Sequence, residues 1–282
     1  MRKVQKSNLQ TTMKKIMFND RYGLTEAVLT GRKTMTRRLM PEDIAKMVEA
    51  ASKPTLLINS LPNDSDAEKF ADEWKNHRGV VTYQKESDAQ LRVSKQIKEG
   101  ILAHAQYKVG DVVAIAQSYK SIYDEMEEKF GNAKANSWWC DVYERLGFDP
   151  TAKSGYRNKM FVSADLMPHQ IKITDVRFER LRDISYEDCR REGIIHVEWK
   201  QWLEQDIHDL SPQRYKMHDL WTLPIFEEEW LDSFAEQSRD NITANSPQLC
   251  FTVLFAKLAK MQPSDMAKLN PWTFVYDFKL IK

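Results

Sequence analysis

The 282 residues are 42% hydrophobic and 11% aromatic, enough apolar material for one large domain or two small ones. The 42 Lys and Arg face 41 Asp and Glu, so the formal charge of +1 points to no partner class, and no apolar run approaches the ~20 residues of a membrane-spanning helix. Three cysteines, Cys140, Cys189 and Cys250, are odd in number, widely spaced and without a C-x-x-C, which argues against a disulfide framework and for a reducing, cytoplasmic setting.

The charge is unevenly placed. Residues 1–40 carry ten Lys or Arg and two Asp or Glu, while 201–240 hold ten acidic and three basic side chains. Such a division presents a positive face to an anionic partner; an ordinary charged surface is the other reading. The acidic segment reads as a solvated helical face rather than a nucleic-acid mimic.

Residues 1–12 read as a polar leader, with no apolar segment to suggest a secretory signal. "KKIMF" is a short strand candidate. "NDRYGLTEAVLTG" reads as a helix capped by Asn19 or Asp20, with an apolar stripe of Leu24, Ala27 and Val28 and with Gly31 at C′. "KTMTRR" then alternates as a strand, Thr34 and Thr36 on one face, Lys33, Met35 and Arg37 on the other.

"PEDIAKMVEAAS" and "AEKFADEWKNH" read as helices around a "NSLPNDSD" loop, and "VVTY" as a strand. "YKVGDVVAIAQSY" is a turn and a buried strand. Residues 120–157 read as a helical insertion. "NKMFVSADLMPHQIKITDVRFERLRDIS" reads as two strands joined through "MPH". "SYEDCRREG" is a short helix with Ser185 and Asp188 as a capping box and Gly193 as its stop. Residues 196–262 read as mostly helical. "NPWTFVYDFKLIK" is a strand whose Trp272, Phe274, Tyr276, Phe278 and Leu280 share one apolar face. Strands at both ends around helical insertions predict an α+β fold, closed into a small sheet or barrel if the first and last strands pair.

Most signatures of chemistry are missing. His77, His104, His169, His196, His208 and His218 have no H-x-x-x-H spacing and no Cys pair beside them, so no metal is expected. There is no P-loop, no G-x-G-x-x-G and no G-x-S-x-G, and no cofactor is expected. Trp138–Trp139 and Trp199/Trp202 suit packing better than base stacking.

The exception is "GRKTMTRR", residues 31–38, with Arg32, Lys33, Arg37 and Arg38 around two threonines. Cations after a helix interact well with its last carbonyls and readily bind an anion. A reactive centre is the other possibility: Thr36 as nucleophile, with Lys33 as its base if burial and neighbouring cations depress the lysine pKa. The residue types alone favour anion binding.

"GRKTMTRR" after an amphipathic helix resembles the signature of ASCH domains, small PUA-like β-barrels. "YKVGDVVAIAQSY", "IKITDVRFERLRDISYEDCRREGI" and "NPWTFVYDFKLI" resemble three further blocks of that family in the same order, roughly 90 residues in all. The resemblance implies one ASCH/PUA-like domain over 1–282, with barrel blocks at about 13–40, 107–119, 158–195 and 270–282. Helical insertions fall at about 41–106, 120–157 and 196–269, comparable to those of longer phage- or bacterium-like members. It also implies a cleft that handles nucleosides or RNA. In the family's amidohydrolases, which deacetylate N4-acetylcytidine, a lysine, a threonine and a glutamate act together. The matching residues here are Lys33, Thr36 and Glu192, with Arg32, Arg37 and Arg38 as anion or nucleic-acid contacts. Other relatives are RNA-binding modules or ribonucleases, and the same cations suit those roles.

Overall fold

The computed structural model describes residues 13–52, 97–147, 149–152, 154–202, 215–223 and 242–281. The expected leader, the helix at 67–77, the strand at 80–83 and most of the acidic segment lie outside these residues.

The described chain is α+β. A five-stranded sheet contains β1 (Lys14–Ile16), β2 (Met35–Leu39), β3 (Val112–Ile115), β4 (Gln170–Arg180) and β8 (Trp272–Ile281), in the order β1-β3-β4-β8-β2. β1 and β3 are parallel and the other pairs antiparallel. The first and last strands therefore do not pair. β1 and β2 form the edges, and β8 lies inside with β4 and β2 as neighbours. No closed barrel forms among the described residues. Both faces of β8 are covered, so Thr273 and Val275 are buried along with Phe274, Tyr276 and Phe278. Burial of Phe274 and Phe278 stabilises by roughly 1.5–3 kcal/mol each.

The sheet is curled. Four strand spacings would put the edges ~19 Å apart if it were flat, farther than an arginine reaches. Yet Arg38 of β2 donates a 2.6 Å hydrogen bond to the carbonyl of Met17, the residue after β1. Its guanidinium lies over the Phe18 ring, which in turn contacts Phe278.

Helices α1 (Leu24–Leu29), α2 (Glu42–Ser52), α3 (97–103), α6 (Tyr186–Arg191), α7 (Pro247–Leu258) and α8 (Pro263–Leu269) surround this sheet. The main core joins Val28 and Leu24 of α1 and Phe251, Leu254 and Phe255 of α7 to the sheet residues Ile115, Ile173 and Tyr276. The hairpin of α4 (Tyr119–Phe130) and α5 (Asn132–Leu146) forms a second core against Ala114 and Ala116. Trp138 and Trp139 pack there, Trp139 edge-on to Tyr123 and Tyr156.

Three expectations are corrected. α1 begins at Leu24 behind a left-handed Gly23, not at Asn19 or Asp20, because the Asp20 carboxylate is taken by Thr25 and Lys159. Residues 158–167 make 3₁₀ turns rather than a strand; Asn158 caps one of them by accepting from the Met160 amide. Among the described residues after 195, strand and not helix comes first, and helix begins only at α7. β5 (Ile195–Trp202) and β6 (Tyr215–Thr222) pair over eight residues, and β7 (Thr243–Ala244) adds a third strand. "IHVEWK", residues 195–200, alternates apolar and polar residues, the period of a strand.

Candidate active site

The site is built at the free edge of β2. α1 ends at Gly31, whose φ of +77° turns the chain toward the sheet. Three backbone hydrogen bonds then fix the next residues: Lys33 N to Ala27 O at 2.8 Å, Thr34 N to Arg191 O at 2.9 Å, and Phe278 N to Thr34 O at 2.9 Å. The loop is thereby stitched to α1, to the end of α6 and to β8. Lys33 lies just before the strand rather than within it.

α6 brings the carboxylate. Ser185 caps its start, accepting from the Asp188 amide at 3.1 Å, and Glu192 is its C-cap residue. The Asp188 side chain does not complete a reciprocal box; it faces Arg37 and Arg177 instead. Gly193 follows with φ +101°, and a Cβ there would lie 3.8 Å from that of Lys33. The helix end and the lysine stem are thus in direct apposition.

Lys33, Thr36, Arg37 and Glu192 are 2%, 5%, 4% and 3% exposed. Lys33 Nζ donates to the Glu192 carboxylate and, at 3.0 Å, to its backbone carbonyl. Glu192 Oε1 faces Arg37 Nη1 at 3.5 Å and, like Arg37 Nε, has no hydrogen-bond partner. Burial lowers the Lys33 pKa, and Arg38 and Arg37 lower it further against the opposing pull of Glu192. Thr36 Oγ1 makes no side-chain hydrogen bond among the described residues.

These residues line one cavity of about 480 Å3. Among the described residues β2 pairs only with β8, so a cavity at its other edge meets side chains from both strand faces. That is why Thr36 and Arg37 share it although they alternate. Phe251, Leu254 and Phe255 of α7 form an apolar wall, and Arg38 and Lys159 stand among the other lining residues. Arg32 does not reach this cavity. It is exposed and lines a separate hollow with Arg190 and Arg191.

Behind the cavity lies an ion network that the sequence reading missed. Arg37 Nη2 contacts Glu179 at 2.9 Å and Asp188 at 3.0 Å. Arg177 shares both carboxylates and adds Asp277 at 3.2 Å, which also receives Arg191 at 3.0 Å. Asp277 is the visible signal: an acid between Tyr276 and Phe278 in β8 calls for a cation partner, and Arg177 and Arg191 supply it. This network neutralises Arg37, so the cavity's positive charge is less than "GRKTMTRR" suggests.

The described residues include no group of three or more His, Cys, Asp or Glu arranged to hold a metal ion. No described helix is long and apolar enough to cross a membrane. Compared with protein-family models, curated proteins and solved structures, the chain finds no match.

Proposed function

We propose that this cavity is the active site of an ASCH-type amidohydrolase that removes an acyl group from the exocyclic amine of an N4-acylated cytidine. One observation carries the reading. Lys33, Thr36 and Glu192, the last 159 residues from the first, converge in a single cavity, and the lysine there has a depressed pKa. A PUA-like barrel is the finer reading of the curled sheet, supported by the Arg38 bridge between its two edges.

In this reading Thr36 Oγ1 attacks the amide carbonyl carbon while neutral Lys33 accepts the hydroxyl proton. Arg38, with no carboxylate partner among the described residues, stabilises the developing oxyanion. Glu192, bonded to Lys33, relays the proton to the departing N4 amine as the C–N bond breaks. Water then attacks the threonine ester, Lys33 again taking the proton, to release the carboxylic acid and restore Thr36. The sum is one amide and one water consumed, one amine and one acid formed.

A non-catalytic reader of RNA and a ribonuclease are the other members of this functional range. The cavity fits them less well, because Lys33 and Arg37 are already paired with carboxylates and have little net charge to offer a phosphate. The test is chromatography of N4-acetylcytidine incubated with the native chain, Lys33→Ala, Thr36→Ala and Thr36→Ser. Cytidine is expected from the native chain and, more slowly, from Thr36→Ser. Thr36→Ala should fall by at least about 10³-fold. Full turnover by Thr36→Ala would refute the nucleophile, and no cytidine from any chain would refute the activity.

A further inference from the structure

A second hollow, of about 560 Å3, lies across a wall of backbone from the first. Two short runs make that wall. Arg32 lines the second hollow and Lys33 the first; Arg191 and Gly193 line the second and Glu192 the first.

The second hollow differs from the first in its charge. Its cations are Arg32, Arg190 and Arg191, with Glu187 the one acidic residue among its described lining. Arg191 is held by Asp277 at 3.0 Å. Arg32 and Arg190 are exposed and meet no carboxylate among the described residues. Two guanidiniums are therefore left with their charge uncompensated on one rim.

Aromatic rings stand beside them. Trp221 is buried and holds Tyr186 edge-on, with centroids 5.1 Å apart at 84°, and also packs against the His196 ring at 4.8 Å. Tyr186 is thus fixed in orientation while 49% of it remains exposed. A guanidinium pair binds phosphate oxygens, and a held, half-exposed ring offers a stacking surface. An acidic protein surface would use the arginines and leave the ring idle. A duplex has no unstacked base to place on it.

We propose that this hollow binds single-stranded nucleic acid, with Arg32 and Arg190 on successive phosphates and Tyr186 stacked on a base. The surface stands whether or not the cavity behind it is catalytic.

Fluorescence anisotropy of the full chain tests this with a labelled decaribonucleotide, the deoxy strand of the same sequence and the corresponding RNA duplex, each over a range of KCl. Either single strand should bind more tightly than the duplex; the preferred one identifies the sugar read. Arg32→Gln with Arg190→Gln should weaken binding and reduce the slope of log affinity against log salt by about 1.4, since each phosphate on a single strand contributes about 0.7. Arg32→Lys with Arg190→Lys should restore the slope. Tyr186→Ala should weaken binding on the order of tenfold with the slope unchanged. All three side chains are exposed, so the variants should melt as the native chain does. No binding by the native chain, a preference for duplex, or native affinity and slope in the Gln and Ala variants would each overturn the proposal.

Discussion

Lys33 and Glu192 are joined by an ion pair in which both side chains are almost wholly buried, and Lys33 Nζ also holds the glutamate's own backbone carbonyl at 3.0 Å. Two contacts to one residue fix the lysine on the end of α6 rather than merely neutralising it. Desolvating two ions is costly, so the pair's value lies in geometry more than in net stability.

Breaking the pair from one side should be severe. Lys33→Met or Glu192→Gln alone should destabilise the fold by about 3–5 kcal/mol, because each leaves a buried charge without its main partner. The double variant Lys33→Met/Glu192→Gln should cost clearly less than the two single losses together. Urea denaturation of all four chains measures this coupling; additive losses would mean the two groups are independent.

Arg38 lowers the Lys33 pKa from across the cavity. If Lys33 acts as the base, turnover should rise with pH through the lysine pKa, at a pH below its ordinary 10.5. Removing a neighbouring cation stabilises the protonated lysine, so Arg38→Gln should move that rising limb to higher pH. A pH–rate profile for N4-acetylcytidine cleavage by both chains reads the shift directly. A limb that stays in place would detach Arg38 from the lysine.

Gly193 has φ +101°, and a Cβ there would meet Ala27 at 3.7 Å and Lys33 at 3.8 Å. Those are ordinary contacts, so the cost of Gly193→Ala is backbone strain rather than a clash. It should lower stability by about 1–2 kcal/mol, seen as a reduced urea midpoint with an unchanged m-value. A neutral result would show that this turn relaxes freely.

Glu125 of α4 accepts from His169 at 3.0 Å, Lys129 at 2.8 Å and Gln117 at 3.2 Å. The His169 contact, with help from Lys129 and Gln117, holds its carboxyl down to about 2. A depressed folded pKa stabilises above the unfolded value and loses that contribution as pH falls through the folded one. The stability gap between the native chain and Glu125→Gln should therefore be full at pH 5 and shrink between 4.5 and 2. A gap independent of pH would remove Glu125 from the acid response.

Local features were legible in the residues themselves. β8 and β3 announced themselves by apolar, β-branched and aromatic runs, and the end of α1 by Gly31. α6 was readable from Ser185 at its N-cap and Gly193 after its end, since caps satisfy amides within one turn. β5 escaped notice because its short alternation lies at the start of a stretch read as helical and acidic, and β6 escaped because His218–Asp219 and Leu220–Trp221 break the alternation.

Other features depended on contacts distant in sequence. That β1 and β8 do not pair, that Arg37 is neutralised by Glu179 and Asp188, and that Arg32 and Lys33 part into different hollows are all set by strand order and by groups more than 140 positions away. A run of eight residues can display four cations, but charge is compensated in space. Whether a cation is a grip, a strut or a base is decided by which carboxylates, and how little water, the fold brings to it.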